Sequence, residues 1–193
     1  QFRRLFIDFD SFYASVEQQD NIEYQNKPLI VVPCISDYTC AIAASYEAKR
    51  LGVKTGTRVS VAKEKIPNLF VIEARPKRYV EVHNSVLKIL SNHFQKIQVL
   101  SIDEMACEIH EDDDFECEMI AALLKIDLLE EFGNHLTCSI GVARNVFLAK
   151  VFQYKKQYKW PDEIKLRFDR QRPRVLQKWR TADALEVILL ASN

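Results

Sequence analysis

The order of the periodic segments is the sequence feature that most constrains the fold of this chain. When residues 20–74 are set aside, the remaining sequence alternates as strand, helix, strand, strand, helix, strand. The strands are short apolar runs, and the helices repeat apolar residues every three or four positions. This order is typical of the split βαβ, ferredoxin-like arrangement. We therefore expect an α+β fold, βαββαβ, in which the first and third strands are antiparallel neighbours.

The same periodicity sets the expected boundaries of the segments. The main sheet should contain the strands Arg3–Phe9, Lys96–Ile102, Met105–Ile109 and Leu136–Val142. The helices of this unit should be Ser11–Gln18, about Tyr79–Phe94 and Phe115–Phe132, followed by a basic helix Asn145–Tyr158 and a last helix Thr181–Ala191. The inserted residues 20–74 should form a small α/β unit with the strands Lys27–Val32, Cys40–Ala44 and Leu69–Glu73 and the helices Tyr46–Leu51 and Ser60–Ile66.

Two acidic clusters lie at the ends of the first and third predicted strands. Asp8 follows the apolar run Leu5–Ile7, and Asp103 and Glu104 follow the run 97–102. If the two strands are antiparallel neighbours, the end of the first lies beside the start of the third. The fold then gathers three carboxylates at one edge of the sheet.

Three neighbouring carboxylates predict a divalent-metal site. Each contact pair would repel by roughly 4 kcal/mol at an effective dielectric constant near 20. Mg²⁺ removes this cost, prefers oxygen ligands and is usually completed by substrate phosphates. Two such ions about 4 Å apart can stabilise the attacking and leaving oxygens of an in-line displacement. The pattern therefore indicates phosphate chemistry on a nucleotide.

The charge of the chain is balanced overall and unevenly distributed. The formal net charge is zero, but residues 1–143 carry 15 basic and 22 acidic side chains, whereas residues 144–180 carry 12 basic and 3 acidic ones. The basic stretch is either a solvated helical face or a surface for a polyanion such as DNA. The charge alone leaves both interpretations open.

Cysteine and histidine do not indicate a metal or disulfide framework. The five Cys lack CxxC spacing and the four His are scattered, so the cysteines are expected to be small core residues in a reducing compartment. No apolar run is long enough to span a bilayer, and no signal peptide is visible. The sequence therefore predicts an intracellular protein without a membrane partner.

Five motifs in register resemble the Y-family translesion DNA polymerases, of the polymerase IV/UmuC type and especially the bacterial members. The resemblance extends from about residue 2 to residue 151. The motifs are IDFDSFYASVE at 7–17, KPLIVV at 27–32, SYEAK at 45–49, SIDE at 101–104, and TCSIG at 137–141 with Asn145 and LAK at 148–150. No single motif is decisive, but their shared order and spacing identify the family.

The resemblance implies a division into regions and a set of metal ligands. Residues 1–18 and 76–157 correspond to the catalytic palm, 19–75 to small fingers, and 158–193 to a basic helical extension or thumb remnant. The metal ligands would be Asp8, Asp103 and Glu104, which are also the catalytic carboxylates, together with the Phe9 carbonyl. They would hold two Mg²⁺ ions, for which Mn²⁺ can substitute. Asp10 is expected to be structural.

The resemblance also implies residues that contact the incoming deoxynucleoside triphosphate. Tyr13 falls on the steric-gate position, where an aromatic ring excludes a 2′-hydroxyl, and Phe12 precedes it. From spacing alone, Tyr13 would be a core aromatic residue. Tyr46 falls on a triphosphate contact. Family members usually have an arginine at the position of Lys49, so Arg50 can share that role.

The C-terminal quarter departs from the family. The residues after 150 only loosely match the usual sequence, and the phosphate-binding lysine is Lys156 by spacing or Lys159 by motif. The remaining residues are too few for a thumb and a separate C-terminal DNA-gripping domain, both of which are expected to be absent. Contacts to DNA are therefore expected from the basic residues Lys150, Lys155, Lys159, Arg170, Arg172 and Arg174.

The leading hypothesis is template-directed, damage-tolerant nucleotidyl transfer on primer-template DNA. The alternative is a non-catalytic or partner-dependent damage-tolerance subunit that keeps the polymerase palm, working with a partner polymerase or a sliding clamp. A nucleotide cyclase also has paired palm carboxylates, but the 55-residue insertion and the adjacent Asp103 and Glu104 argue against it. The expected location is cytoplasmic, associated with the nucleoid in a bacterium, or nuclear in a eukaryote.

Overall fold

The computed structural model describes residues 3–110 and 114–155 of the 193-residue chain. The strands are β1 (Arg3–Phe9), β2 (Leu29–Val32), β3 (Ala43–Ala44), β4 (Phe70–Glu73), β5 (Ile97–Val99), β6 (Glu104–Ile109) and β7 (Cys138–Ala143). The helices are α1 (Phe12–Asp20), α2 (Tyr46–Arg50), α3 (Val59–Lys65), α4 (Pro76–His93), α5 (Asp114–Phe132) and α6 (Val146–Lys155), with a 3₁₀ turn at Ile22–Tyr24.

The larger sheet has the strand order β5-β6-β1-β7. Each neighbouring pair is antiparallel, and β1 and β6 are the two central strands. This is the strand order of the predicted βαββαβ arrangement. The register places Asp8 opposite Glu104 on β6 and opposite Ser139 on β7.

Alternation along β1 gives its two faces different surroundings. Leu5, Ile7 and Phe9 point into the main core, where they pack against apolar residues of α4 and α5. Phe6 points to the opposite face and packs against Ala149 of α6. Asp8 shares this second face because side chains alternate along a strand, so the carboxylate lies on the side of the sheet that α6 partly covers.

The inserted residues form a second, smaller sheet with its own core. β2 lies at the centre, antiparallel to β3 and parallel to β4. All four β2 residues have zero exposure; Ile30 and Val32 pack on the side of α2 and α3, whereas Leu29 and Val31 join the main core. β2 therefore contributes side chains to both cores, and this packing joins the insertion to the larger unit.

The hairpin between β5 and β6 differs from the prediction. β5 ends at Val99, Glu104 is the first residue of β6, and residues 100–103 form the connecting loop. The backbone amides of Leu100 and Ser101 both donate to the Glu104 carbonyl, at 3.0 and 3.1 Å, and this tight closure ends β5 early. Asp103 therefore lies on a loop, and Glu104 lies on a strand.

Other boundaries shift for local reasons. α4 begins at Pro76, a residue favoured in the first helical turn because it lacks an amide donor. The predicted strand Cys40–Ala44 is reduced to β3, and Cys40 forms only an isolated bridge to Arg58. The end of the predicted basic helix, residues 156–158, and the last predicted helix lie outside the described residues.

The cysteine prediction was right in part. Three cysteines are buried as expected, namely Cys107, Cys117 and Cys138, whereas Cys34 and Cys40 are exposed on the smaller unit. All five are free thiols. Burial raises the pKa of the Cys107 thiol to about 12, so that thiol behaves as an apolar core group. Within residues 3–110 and 114–155, no helix has the length and apolar character needed to cross a membrane.

Candidate active site

Asp8, Asp103 and Glu104 form what we call the carboxylate edge. Asp8 and Glu104 are directly paired across β1 and β6. The backbone amide of Phe9 donates to the Asp103 carbonyl at 3.0 Å, which ties the loop 100–103 to the end of β1. The three acidic residues are therefore brought to one end of the central strand pair, as the strand topology predicted.

The acidic side chains of the carboxylate edge have protein partners. Asp103 accepts a hydrogen bond of 2.5 Å from the Ser101 hydroxyl. Glu104 accepts two from the Lys150 ammonium group of α6, at 2.7 and 2.9 Å. Lys150 also lies 5.3 Å from the centre of the Phe6 ring. These contacts reduce the repulsion that the sequence predicted between uncompensated carboxylates.

The fit of this edge to Mg²⁺ depends on whether these partners are released. Oxygen ligands are the kind that Mg²⁺ prefers, and the paired strands supply them side by side. Nevertheless, no three His, Cys, Asp or Glu side chains in the described part of the chain form a group that could hold a metal ion. The residues therefore fit a divalent cation in type, and Glu104 must exchange Lys150 for the cation.

Asp10 has a structural environment, in agreement with its expected role. Its carboxylate accepts hydrogen bonds from the hydroxyls of Thr137 at 3.0 Å and Ser139 at 3.1 Å. Its backbone amide donates to the Thr137 carbonyl, and its own carbonyl accepts from the Ser15 hydroxyl. Asp10 thus fastens the turn after β1 to β7 and to α1.

Helix α2 brings Tyr46 and Lys49 from the smaller unit to the carboxylate edge. Partial burial, the charge of Asp10, a hydrogen bond to that carboxylate and the charge of Asp8 together raise the pKa of the Tyr46 hydroxyl well above its usual range. Lys49 donates to the Ser11 hydroxyl at 2.6 Å and lies 5.3 Å from the centre of the Tyr46 ring. Arg50 is exposed at the end of α2.

The N-terminus of α1 lies beside these residues. Ser11 adopts a left-handed backbone, φ 50°, and makes no side-chain cap. The first turn of α1 contains no acidic residue, and its leading amides lack partners within the helix. With the Lys49 ammonium group at Ser11, this end of α1 is a positive region next to the negative carboxylate edge. Such a region favours the binding of phosphate groups.

Tyr13 belongs to a cluster of aromatic rings behind this region. Its ring centre lies 4.6 Å from that of Tyr79 and 5.8 Å from that of Phe12. Phe12 is 3% exposed and part of the main core, so its backbone amide, rather than its ring, is the group that could contact a nucleotide. Tyr13 is half-buried, which leaves part of its ring available at the surface.

Tyr79 is a residue whose contact with the candidate site the sequence did not reveal. Its place in the apolar repeat of α4 indicated only a core residue, and no local signal predicted the stacking on Tyr13. The Tyr79 hydroxyl donates to Glu17 at 2.7 Å. Glu17 is 2% exposed and also accepts from Arg75, at 3.0 Å to each of its oxygens. These contacts join α1 to the start of α4.

Glu17→Ala is expected to reduce the free energy of unfolding by about 3 kcal/mol, since it leaves the buried Tyr79 hydroxyl without its acceptor and leaves Arg75 with only the partly exposed Asp20 as its partner. Urea denaturation measures the change. Glu81→Ala is the matched control, because the Glu81 side chain is 64% exposed and pairs with Arg78 at the surface; its cost should stay below about 1 kcal/mol. Equal costs for the two variants would contradict the proposed network.

The predicted DNA-binding and phosphate-binding residues are only partly described. Lys150 donates to the Glu104 carboxylate. Lys155 lies in α6, but its side chain is outside the described part of the structure. Lys156, Lys159, Arg170, Arg172 and Arg174 lie entirely outside the described residues, so the choice between Lys156 and Lys159 stays a prediction.

Comparison with known proteins supplies the family. The model of the impB/mucB/samB family matches residues 7–153. The chain belongs to this family. Among curated relatives, DNA polymerase IV of Sulfurisphaera tokodaii is 37% identical over 154 residues, covering 76% of this chain and 43% of that protein. DNA polymerase IV of Listeria monocytogenes is 35% identical over 147 residues, covering 75% and 41%.

Solved structures agree with this assignment. The crystal structure of DinB from Sulfolobus solfataricus matches with a TM-score of 0.71 and 33% identity, covering 80% of this chain and 46% of that one. A post-insertion binary complex of Dbh DNA polymerase matches with a TM-score of 0.73 and 32% identity, covering 84% and 49%. A further match is described as a Y-family DNA polymerase chimera, and the predicted resemblance to the Y-family is confirmed. The chain spans less than half the length of these relatives.

Proposed function

We propose that this chain contains the palm and fingers of a template-directed, translesion-type DNA polymerase. Residues 1–18 and 76–157 would be the palm, residues 19–75 the fingers, and residues 158–193 a basic extension or thumb remnant. The observation that carries the proposal is the direct pairing of Asp8 with Glu104, with Asp103 bonded to the same strand end. The family and the matched polymerases support the same function.

The carboxylate edge would hold two Mg²⁺ ions, through Asp8, Asp103, Glu104 and the Phe9 carbonyl. When bound, such ions stabilise the charge on the attacking and leaving oxygens of a phosphoryl displacement. The protein's own contribution is to keep these oxygens together on the central strands. Lys150 neutralises Glu104 in the absence of a cation and would move to another anion when one binds. The nearby phosphates of DNA are the expected anion.

The incoming deoxynucleoside triphosphate would bind between α1 and α2. The amides of Phe12 and Tyr13 at the start of α1 and the Lys49 ammonium group, which reaches Ser11, would neutralise phosphate oxygens. Lys49, rather than Arg50, is the supported contact because it already reaches the start of α1. The Tyr46 hydroxyl lies by Asp10 and, with its raised pKa, keeps its proton and can donate to a phosphate oxygen. The Tyr13 ring would lie below the sugar.

A second candidate function is a non-catalytic or partner-dependent subunit that keeps the polymerase palm. The Lys150–Glu104 ion pair favours this alternative, because it occupies one of the proposed metal ligands. Single-nucleotide extension of a primer-template at millimolar Mg²⁺ and low salt separates the two. Extension that depends on Mg²⁺ and on Glu104 supports the polymerase. Binding of the same DNA without any extension supports the subunit and contradicts catalysis by this chain.

DNA binding is expected to depend on the basic stretch 144–180. Reversing the charges of Arg170, Arg172 and Arg174 should weaken binding to all sequences alike, because phosphate contacts carry no base information. The slope of log affinity against log salt should become shallower by about 2–3, since each phosphate contact contributes about 0.9. Fluorescence anisotropy over a salt series measures both quantities.

The matched control reverses three exposed charges outside this stretch, namely those of Lys54, Lys77 and Lys88. This variant has the same change in net charge, so only a position-specific effect distinguishes the two. If both triple variants lose the same affinity and show the same slope, the basic stretch is merely a solvated face. The proposed Lys155 and Lys159 contacts would then lose their support as well.

A further inference from the structure

A side chain of α4 makes a hydrogen bond to the backbone of the loop 100–103, which carries Asp103 into the carboxylate edge. His83 Nδ1 lies 2.7 Å from the carbonyl oxygen of Ile102. A carbonyl oxygen only accepts, so Nδ1 must carry the proton. Both the neutral Nδ1–H tautomer and the imidazolium ion satisfy this requirement. The contact therefore needs no charge on the ring.

The other hydrogen bonds of the loop that the structure describes come from β1 and from the hairpin itself, and the Ile102 side chain packs against the main core. The Phe9 amide binds the Asp103 carbonyl, and the Glu104 amide donates to the Ser101 hydroxyl at 3.0 Å. Ser101 also donates to the Asp103 carboxylate. These bonds hold the acidic residues relative to each other and to β1. The His83 bond is different, because it is a directional hydrogen bond from the helix layer to the loop backbone.

Helix α4 is itself well anchored, which makes it a suitable support. One turn before His83, Tyr79 stacks on Tyr13 and donates to Glu17. Residues four apart lie on one helix face. The same face of α4 therefore contacts the predicted sugar-selecting ring and, one turn later, the loop before Asp103.

We propose that His83 is a positioning residue of the carboxylate edge, which holds the Ile102 carbonyl so that Asp103 and Glu104 stay aligned with Asp8. The inference deepens the proposed function and rests on it for its effect on metal binding. His83 does not reach the reacting atoms; it acts through the backbone of the loop. A merely structural role would change stability without a specific change in the loop or in metal affinity.

The first measurement is amide hydrogen exchange of the metal-free protein. His83→Leu removes the donor and should speed exchange at the Phe9 and Glu104 amides about fivefold, the effect of losing one ordinary hydrogen bond. His83→Asn places an amide nitrogen near the position of Nδ1 and should restore the parent rates. If His83→Leu does not fold, His83→Gln is used instead, because its amide lies nearer the position of Nε2 and cannot reach Ile102 in the same way.

The second measurement is the affinity for Mn²⁺ alone, determined by electron paramagnetic resonance. His83→Leu should bind Mn²⁺ about tenfold more weakly, a typical consequence of losing a partner that orients metal ligands, and His83→Asn should bind within about twofold of the parent.

His93→Leu is the matched control. His93 is also half-buried on α4, and it bonds to Asp127 about 15 Å along the helix from His83; its loss should lower the unfolding temperature and leave both readouts unchanged.

The two measurements separate this inference from the proposed function. If the parent and Asp103→Asn bind Mn²⁺ equally weakly, the two-metal proposal fails, and the exchange rates still decide the role of His83. The inference would be overturned if His83→Leu showed the same exchange rates as the parent at the Phe9 and Glu104 amides. So would a failure of His83→Asn to restore the rates, or an equal loss of Mn²⁺ affinity in His93→Leu.

Discussion

Asp103→Asn is expected to reduce Mg²⁺-dependent primer extension about a thousandfold or more, since metal ions in such sites contribute several kcal/mol to the transition state. Asn keeps the size of Asp and can still accept the hydrogen bond from Ser101. It removes the charge that a cation requires. The free energy of unfolding should therefore change by less than about 1 kcal/mol, while extension is lost.

The matched control for this prediction is Glu108→Gln. Glu108 lies on β6 like Glu104 and on the same face of the sheet, where it pairs with Arg4 at 2.5 Å and with Lys96 at 3.2 Å. Burial raises its pKa, but hydrogen bonds from Arg4 and Lys96 outweigh this effect and keep the pKa below its ordinary value. The variant should lower the unfolding temperature and keep extension within a few-fold of the parent.

Single-turnover extension across a Mg²⁺ series and thermal unfolding of both variants give the required data. Near-normal extension by Asp103→Asn at millimolar Mg²⁺ would refute the assignment of the carboxylate edge as a metal site. Equal losses of extension in both variants would show that any neutralised carboxylate on this face is harmful, and would leave no special role for Asp103.

The position of the carboxylate edge could be predicted because it depends on the backbone. The period of two along β1 decides which face Asp8 occupies, and the antiparallel pairing of the first and third strands decides its neighbour. The position of Glu104 beside Asp8 then follows from the register of the two strands alone. No long-range side-chain packing enters this step, so a short sequence pattern was sufficient.

The partners of these carboxylates could not be predicted, because they depend on long-range side-chain packing. Lys150 and Glu104 are 46 residues apart, and their contact depends on how far α6 is rotated about its axis over the sheet. The bond from His83 to Ile102 and the stacking of Tyr79 on Tyr13 depend similarly on the rotation of α4. Apolar periodicity defines the buried face of a helix only to within a broad stripe, which is too coarse to select one partner.

The exposed cysteines show a further limit of sequence reasoning. Cys34 and Cys40 were expected in the core because free cysteine is usually buried. They lie instead on the loop between β2 and β3, and β3 is only two residues long. A general preference for burial cannot show where a short strand begins, so residues 40–42, which precede β3, were assigned to the strand.

Tyr13→Ala is expected to increase the incorporation of ribonucleotides relative to deoxyribonucleotides by about 10- to 100-fold. A ring below the sugar would exclude the 2′-hydroxyl by its volume, which is discrimination through a clash with the wrong substrate. The ring is held in place by Tyr79, at 4.6 Å between ring centres. Its removal opens space and deletes no ligand of the nucleotide, so deoxynucleotide incorporation should fall much less than selectivity.

Two control variants separate sugar selection from a general loss of packing. Tyr13→Phe keeps the ring and should keep the parent ratio. Tyr24→Ala removes another half-buried aromatic ring, which packs on Phe70 in the smaller unit at 5.1 Å between ring centres. It should lower stability by a few kcal/mol, as expected for an aromatic truncation, without changing the ratio. Single-nucleotide kinetics with matched ribo- and deoxyribonucleotides measure the ratio, and a parent-like value in Tyr13→Ala would make Tyr13 a core aromatic residue and nothing more.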